Sequence, residues 1–509
     1  MTFRLPVVAV FIAVVLAVGG YTYAAPIQPQ ASAGLKPINS LVIVRGADLV
    51  NLHPNRTTDP DSQNVMRSIY EALIYAGPDM QPAPELAERW TQVNDSTYRF
   101  FLRRGVEFHN GQPFTADDVV YTFNQVNSPP PGVPPFLVRA YSFIVEEVVK
   151  ENDYQVLVKL KTPFPIALYN LSRINIVPRT VALDKLTEQP VGTGPYKYVA
   201  WVKGSQVTLV ANDKHWRGRP LSRTLTWKTI PENASRVAEL ISGRAHIATK
   251  IPPEMGSLID RNKDYEVRDI QDSYIIHVDI NTYKPLMQNP LVRQAIYHAI
   301  DRQALLAGVA KGLGTPVNGP VIPQAFGYDT SFKDFEHNPD RAKALLREAG
   351  YPGGIDIKLA VPRGRYVKDT EVAEAVAQQL TAVGIRTQVV VREWGVHLQL
   401  NQERKTDELF FIGWSNPPFD YLQWYYHIPR THQYSLAQSE KLEALVDEAG
   451  RTVNPRGRME VARKLYAAWK EYVPTVALYQ QKAYYGVKAS VAFVPRPDEA
   501  IRPDLIGER

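Results

Sequence analysis

The sequence contains no cysteine. That excludes disulfides, a thiolate nucleophile, a zinc–thiolate site and a lipid-modified cysteine. Long runs of one charge sign are also absent. The chain has 58 Lys and Arg against 52 Asp and Glu, a net charge of +6, and a pI near 9.0. Its basic residues are scattered, which serves solubility rather than a polyanion. A nucleic-acid binder carries a basic stripe with interleaved aromatics, and none is present, so no nucleic-acid partner is expected. Catalytic signatures are missing as well. Ten histidines include no H-E-x-x-H, and there is no G-x-S-x-G. No enzyme is therefore expected, and neither a cofactor nor a metal. Finally, the one long apolar stretch, Leu5 to Gly20, falls short of the roughly 20 residues of a spanning helix. Arg4 precedes it and Thr22-Tyr23-Ala24 follows with small residues at −3 and −1. These are the elements of a secretion signal cleaved after Ala24. A cleaved chain without a lipid anchor is expected in the periplasm.

What is present is an ordinary globular composition. The 509 residues are 45% apolar and 22% charged, enough for two or three domains. Forty prolines and 27 tyrosines fit a loop-rich α/β protein. Tyr98, Phe100 and Leu102 alternate with Arg99, Phe101 and Arg103, which predicts a strand. Asn110-Gly111 is a tight-turn signal, and Thr115 with Asp118 forms a helix cap. Residues 40–45 read as a short buried strand. Residues 65–75 read as a helix with Val65, Ile69 and Leu73 on one face. Residues 128–135 hold five prolines and a glycine, so they form a surface loop. A hairpin is predicted around Asn152-Asp153. Asn289-Pro290 and Asn338-Pro339 each open a helix, with the Asn capping and the Pro at the first turn. Residues 355–361, 371–383 and 385–391 read as strand, helix and strand, a βαβ unit that implies a parallel pair. Helices 440–449 and 458–472 precede a strand at 476–479.

Several of these stretches match a known pattern. Pro84, Leu86-Ala87 and Trp90 stand in P-x-LA-x-x-W spacing. Leu102-Arg103, Gly105, Phe108-His109 and Gly111 follow, then Thr115-Ala116 and Asp118-Val119. Pro190-Val191-Gly192-Thr193-Gly194-Pro195-Tyr196, the Asn212 to Gly218 turn and the Asn289-Pro290-Leu291-Val292-Arg293 helix start extend the match. The sequence resembles the extracytoplasmic solute-binding proteins of the peptide/nickel family, family 5, which serve ABC importers. The resemblance implies an α/β, two-lobed periplasmic binding protein of type II with an extra domain and hinge-linked lobes. The expected division begins with a signal peptide at 1–24 and a tether at 25–38. Lobe I is expected in three stretches, 39–71, 190–278 and a return at 484–509, with the extra domain at 72–189 and lobe II at 279–483. The expected partners are a small-molecule or peptide ligand and the ABC permease subunits of the inner membrane, met as a monomer.

The same resemblance places the ligand between the lobes. Thr57, Thr58 and Asp59 are candidates in the loop after the first strand. Gly413, Trp414, Ser415 and Asn416 form the edge that pairs with a peptide backbone in relatives, an instance of strand addition. The acid that neutralises a peptide's amino group in relatives falls on Pro417, and the following acid survives as Asp420. Arg365 is expected at the ligand carboxylate, where a guanidinium can make two parallel bonds, with Tyr366 beside it. Trp394 is an aromatic wall that can stack on a planar group, and Trp424, Tyr425 and Tyr426 can add to it. His427 and His432 flank a loop near a metal chelate, should one bind. His246 stands where relatives carry Asp and is expected to be structural. The sequence therefore reads as an importer's binding protein for a short peptide, with an opine, an oligosaccharide or a nickel chelate as the alternative solute.

Overall fold

A computed structural model describes residues 22–23, 34–57, 59–129, 139–415, 419–425 and 427–509. Most of the expected signal and tether, and most of the proline-rich stretch 128–135, lie outside the described residues. The chain is built on two long antiparallel strands, Tyr265–Ile280 and Thr475–Lys488. They run through the middle of one mixed sheet. On one side lie Leu409–Ser415, Ile355–Pro362 and Ile385–Arg392. On the other lie Ile247–Thr249, Ile38–Arg45, Ser222–Thr229, Gln206–Ala211 and Tyr196–Val202.

The two halves meet at a break in that central ladder. Gln271 opposes Lys482, but the next partners are Ile275 and Gln480, so residues 272–274 bulge out of register. A bulge of this kind bends a strand and strengthens its twist, which turns one half of the sheet relative to the other. Sequence reading finds only the ends of these strands, at 277–281 and 476–479. Their middles bury Asp272, Ser273, Gln480 and Gln481, so the apolar alternation that signals a strand is missing there.

The expected βαβ unit is present. Ile355–Pro362 pairs in parallel with Ile385–Arg392, and helix Asp369–Ala382 connects them with Val372, Val376 and Leu380 buried. A separate antiparallel sheet carries Ala87–Asn94, Thr97–Leu102, Gln155–Leu160 and Val145–Asn152. Helix Ala116–Asn127 belongs to the same unit, with the Thr115–Asp118 capping box formed. Phe100, Val119, Phe123, Val156 and Val158 share its core.

One prediction is corrected. The helix placed at 65–75 runs over Pro60–Ile69 instead, and Ile74–Ala76 is a strand. Asp59 accepts from the Ser62 amide at 3.0 Å and Pro60 occupies the first turn, a start signal hidden inside what reads as a polar loop. The shift fixes Asp59 rigidly at a helix terminus.

Candidate ligand-binding site

Between the two halves of the sheet lies a cavity enclosing about 60 Å³. Asp59 and Arg173 reach it from one side, Tyr274 from the bulge, and Arg365, Tyr366, Trp394, Gly413, Trp414, Ser415, His427, His432 and Tyr434 from the other. Seven sequence-predicted residues thus converge: Asp59, Arg365, Tyr366, Trp394, Gly413, Trp414 and Ser415. Thr57 sits just behind, buried, its hydroxyl donating to the Asp59 carboxylate. Thr58, Asn416 and Pro417 lie outside the described residues, as does Tyr426. Asp420 is placed elsewhere. Its carboxylate accepts from Arg458 at 2.6 and 2.7 Å and from the Leu422 amide at 3.0 Å, so a buried ion pair holds it away from the cavity. Arg173, Tyr141, Tyr274 and Tyr434 line the cavity without having been foreseen. They stand singly, outside the motifs, and nothing local marks them. His246 accepts from the Val42 amide at 3.1 Å, a structural use.

Arg365 is 1% exposed and is the electrostatic centre of the site. Its Nη2 lies 3.2 Å from Glu499 and its Nε 3.9 Å from Asp61. Lys250 joins the group at 2.7 Å from Asp61 and 4.0 Å from Glu499. The rings of Tyr366, Tyr274 and Trp394 surround the guanidinium at 4.6, 5.6 and 5.6 Å, within cation–π range. Burial opposes its charge, but Glu499, Tyr366, Asp61 and Tyr274 together outweigh burial and hold its pKa well above the usual value. A third carboxyl, Asp272, is pushed well up by burial and then by Glu499. Asp61 and Glu499 are the carboxylates that contact Lys250 and Arg365. Even so, Arg365 Nε and Nη1 make no hydrogen bond among the described residues, and two donors remain for a partner in the cavity.

The other end is aromatic. Trp414 stacks on His427 at 4.0 Å and donates from Nε1 to Asp279 at 3.0 Å. His427 donates from Nδ1 to the Trp424 carbonyl at 3.0 Å, and burial brings its pKa down to about 4. Burial, with His427 adding to it, also lowers His432 well below the ordinary range. Both rings are neutral at pH 7. Trp394 is shared with a second, open cleft of about 600 Å³ on its far side, lined also by Asp48, Trp201 and Arg363. Strand Leu409–Ser415 is paired in parallel with Ile355–Pro362 only at Leu409 and Phe410, so 411–415 have no strand partner on that side. The Gly413 amide on that edge donates to the Tyr366 hydroxyl at 2.8 Å.

The halves also touch directly. Lys368 lies 2.7 Å from Glu254. Gly46 faces Gly364 so closely that a Cβ on Gly46 would stand 2.3 Å from the Gly364 carbonyl oxygen. Among the described residues, no group of three His, Cys, Asp or Glu is arranged to hold a metal, and no helix is long and apolar enough to cross a membrane.

Known proteins share both sequence and fold. The glutathione-binding protein GsiB of Pectobacterium atrosepticum is 29% identical over 389 residues, 74% of each chain. That of Salmonella paratyphi A is 28% identical over 463 residues, 86% of this chain and 88% of the relative. Among solved structures, the periplasmic binding protein DppA of Helicobacter pylori in complex with peptide STSA superposes with a TM-score of 0.86 at 24% identity, covering 93% and 98% of the two chains. AgaA of A. tumefacien R10 in complex with agropinic acid gives 0.84 at 23% identity, covering 92% and 99%. The model of the family described as "Bacterial extracellular solute-binding proteins, family 5 Middle" matches residues 81–435. With that match over most of its length, the two-lobed α/β fold and a buried cavity between the lobes, the chain belongs to the family 5 bacterial extracellular solute-binding proteins.

Proposed function

We propose that this protein captures a short peptide between its lobes and delivers it to the permease of an ABC importer. The observation that carries this reading is a buried cavity walled by charged groups from opposite lobes, Asp59 on one side and Arg365 on the other. Arg365 takes the ligand carboxylate at Nη1, which makes no hydrogen bond among the described residues. Asp59 takes the ammonium, in place of the acid that Pro417 displaces. The end of that strand, at Ser415, offers its main chain to the peptide backbone, which any sequence supplies. Trp394 and Trp414 flank its side chains. Contacts to both lobes exist only when the lobes are closed, so the ligand shifts the population toward closure.

In this reading lobe I comprises 39–71, 190–278 and the return 484–509, the extra domain is 72–189 and lobe II is 279–483. The leader 1–24 is removed, and a periplasmic monomer meets the permease. Relatives named for glutathione and for a bound tetrapeptide support the peptide class. The His427 and His432 rings, 4.8 Å apart at the cavity, favour a second reading in which the solute is not a peptide but an opine, an oligosaccharide or a nickel chelate.

Native mass spectrometry of protein purified without refolding tests the proposal. A released di- to pentapeptide mass is the expected result. An opine, sugar or metal-chelate mass would replace it with the second reading. Covalent conversion of the captured solute would overturn the non-enzyme assignment.

A further inference from the structure

We propose that Arg173 is a second anion receptor in this cavity, and that the preferred solute is an acidic peptide with two carboxylates and one ammonium. The inference rests on the peptide reading above and specifies its substrate class.

Arg173 lines the same cavity as Asp59 and Arg365 but arrives from a different segment, just after helix Ala167–Leu171. Its loop has a fixed base. The Asn55 side chain accepts from the Asn175 amide at 3.1 Å and donates to the Asn175 carbonyl at 3.0 Å. The guanidinium is thus presented to the cavity by an anchored backbone.

No carboxylate of the described residues contacts its guanidinium, although Asp498 acts on its charge from farther off. Among the described residues its guanidinium forms no ion pair or hydrogen bond, and the Tyr141 ring lies 5.5 Å from it. Asp498, the acid of that neighbourhood, is held by Arg496 at 2.9 Å on both oxygens. Arg365 differs, because Glu499 shares its charge.

The charged residues facing the cavity are therefore Asp59, Arg173 and Arg365, while His427 and His432 are neutral. With one ligand carboxylate placed at Arg365, a second carboxylate gives Arg173 its opposite and one ammonium answers Asp59. A peptide whose single carboxylate sits at Arg365 leaves Arg173 facing the enclosed ligand without a carboxylate, an unfavourable state in a desolvated site.

Titration calorimetry decides the matter. Wild type, R173Q, R173K and R365Q are titrated with two matched pairs: Glu-Ala-Gly against Gln-Ala-Gly, and glutathione against glutathione amidated at its glutamyl α-carboxyl. The expected result is at least a ten-fold preference for the free acid of whichever pair binds. R173Q abolishes that preference, R173K keeps most of it, and R365Q weakens both members alike. A preference that survives in R173Q, or is absent in wild type, overturns the role of Arg173 and leaves the peptide reading standing. Wild type that binds none of the four refutes the peptide reading itself, and the inference with it. Melting curves of the free variants establish that each is folded.

Discussion

Arg365 serves two partners, and its variants should separate them. Removing the guanidinium as R365Q takes away a charge-assisted hydrogen bond, worth about 1.5–3 kcal/mol, so affinity for the bound peptide should fall ten-fold or more in calorimetry. The same variant leaves Glu499 buried beside one cation fewer, and breaking a buried pair costs about 3–5 kcal/mol. A clear drop in melting temperature is therefore expected as well. Unchanged affinity in both R365Q and W394A would remove the site from this cavity. A different residue sets the acid limit of stability. His397 is fully buried, donates from Nε2 to the Phe411 carbonyl at 3.0 Å and stacks on Phe410 at 4.0 Å. Burial lowers its pKa from 6.5 to about 3. The unfolded chain takes up this proton first as pH falls, so the contribution of His397 is complete above pH 6.5 and is lost between 6.5 and about 3. H397Q, which keeps a donor without titrating, should flatten the fall in melting temperature over that range; an unchanged slope would show that His397 does not carry it. Arg365, Tyr366 and Trp394 were legible in the sequence because recognisable motif positions surround them. Arg173 was not, since a lone arginine in a loop acquires meaning only from what the fold places opposite it.

At the scale of elements, the signals that worked were chemical punctuation. Asn289 and Asn338 each accept an amide hydrogen bond at the head of a helix that has proline in its first turn. N338A should cost about 1 kcal/mol of stability without altering ligand affinity, because that cap lies on an exposed helix away from the cavity. A ten-fold affinity loss in N338A would contradict that separation. The βαβ unit was legible for the same reason: two apolar strands and a helix with apolar residues every three to four positions carry distinct periods. The long crossing strands were not. Gln480 and Gln481 donate to Asp272 at 2.7 and 2.5 Å, and a strand whose middle is held by buried amides looks polar from its sequence. The early helix was misplaced because its cap, Asp59, and its first residue, Pro60, belong equally well to a turn.

For the molecule as a whole, closure depends on how near the lobes can come. Gly46 and Gly364 meet where a single Cβ would collide with backbone, and Lys368 reaches across to Glu254 nearby. G46A should hold the lobes apart. The expected outcome is a loss of the ligand-induced decrease in radius of gyration by small-angle scattering, with at least ten-fold weaker binding and little change in melting temperature. Full contraction in G46A would show that the glycine contact does not limit closure. The indole of Trp394 adds a different constraint. It is the party wall between a chamber of about 60 Å³ and a cleft of about 600 Å³, so cargo length would be quantised rather than graded. A solute either ends at the indole or, if the ring swings aside, runs through into the larger room, and one χ rotation would convert a measured berth into a corridor.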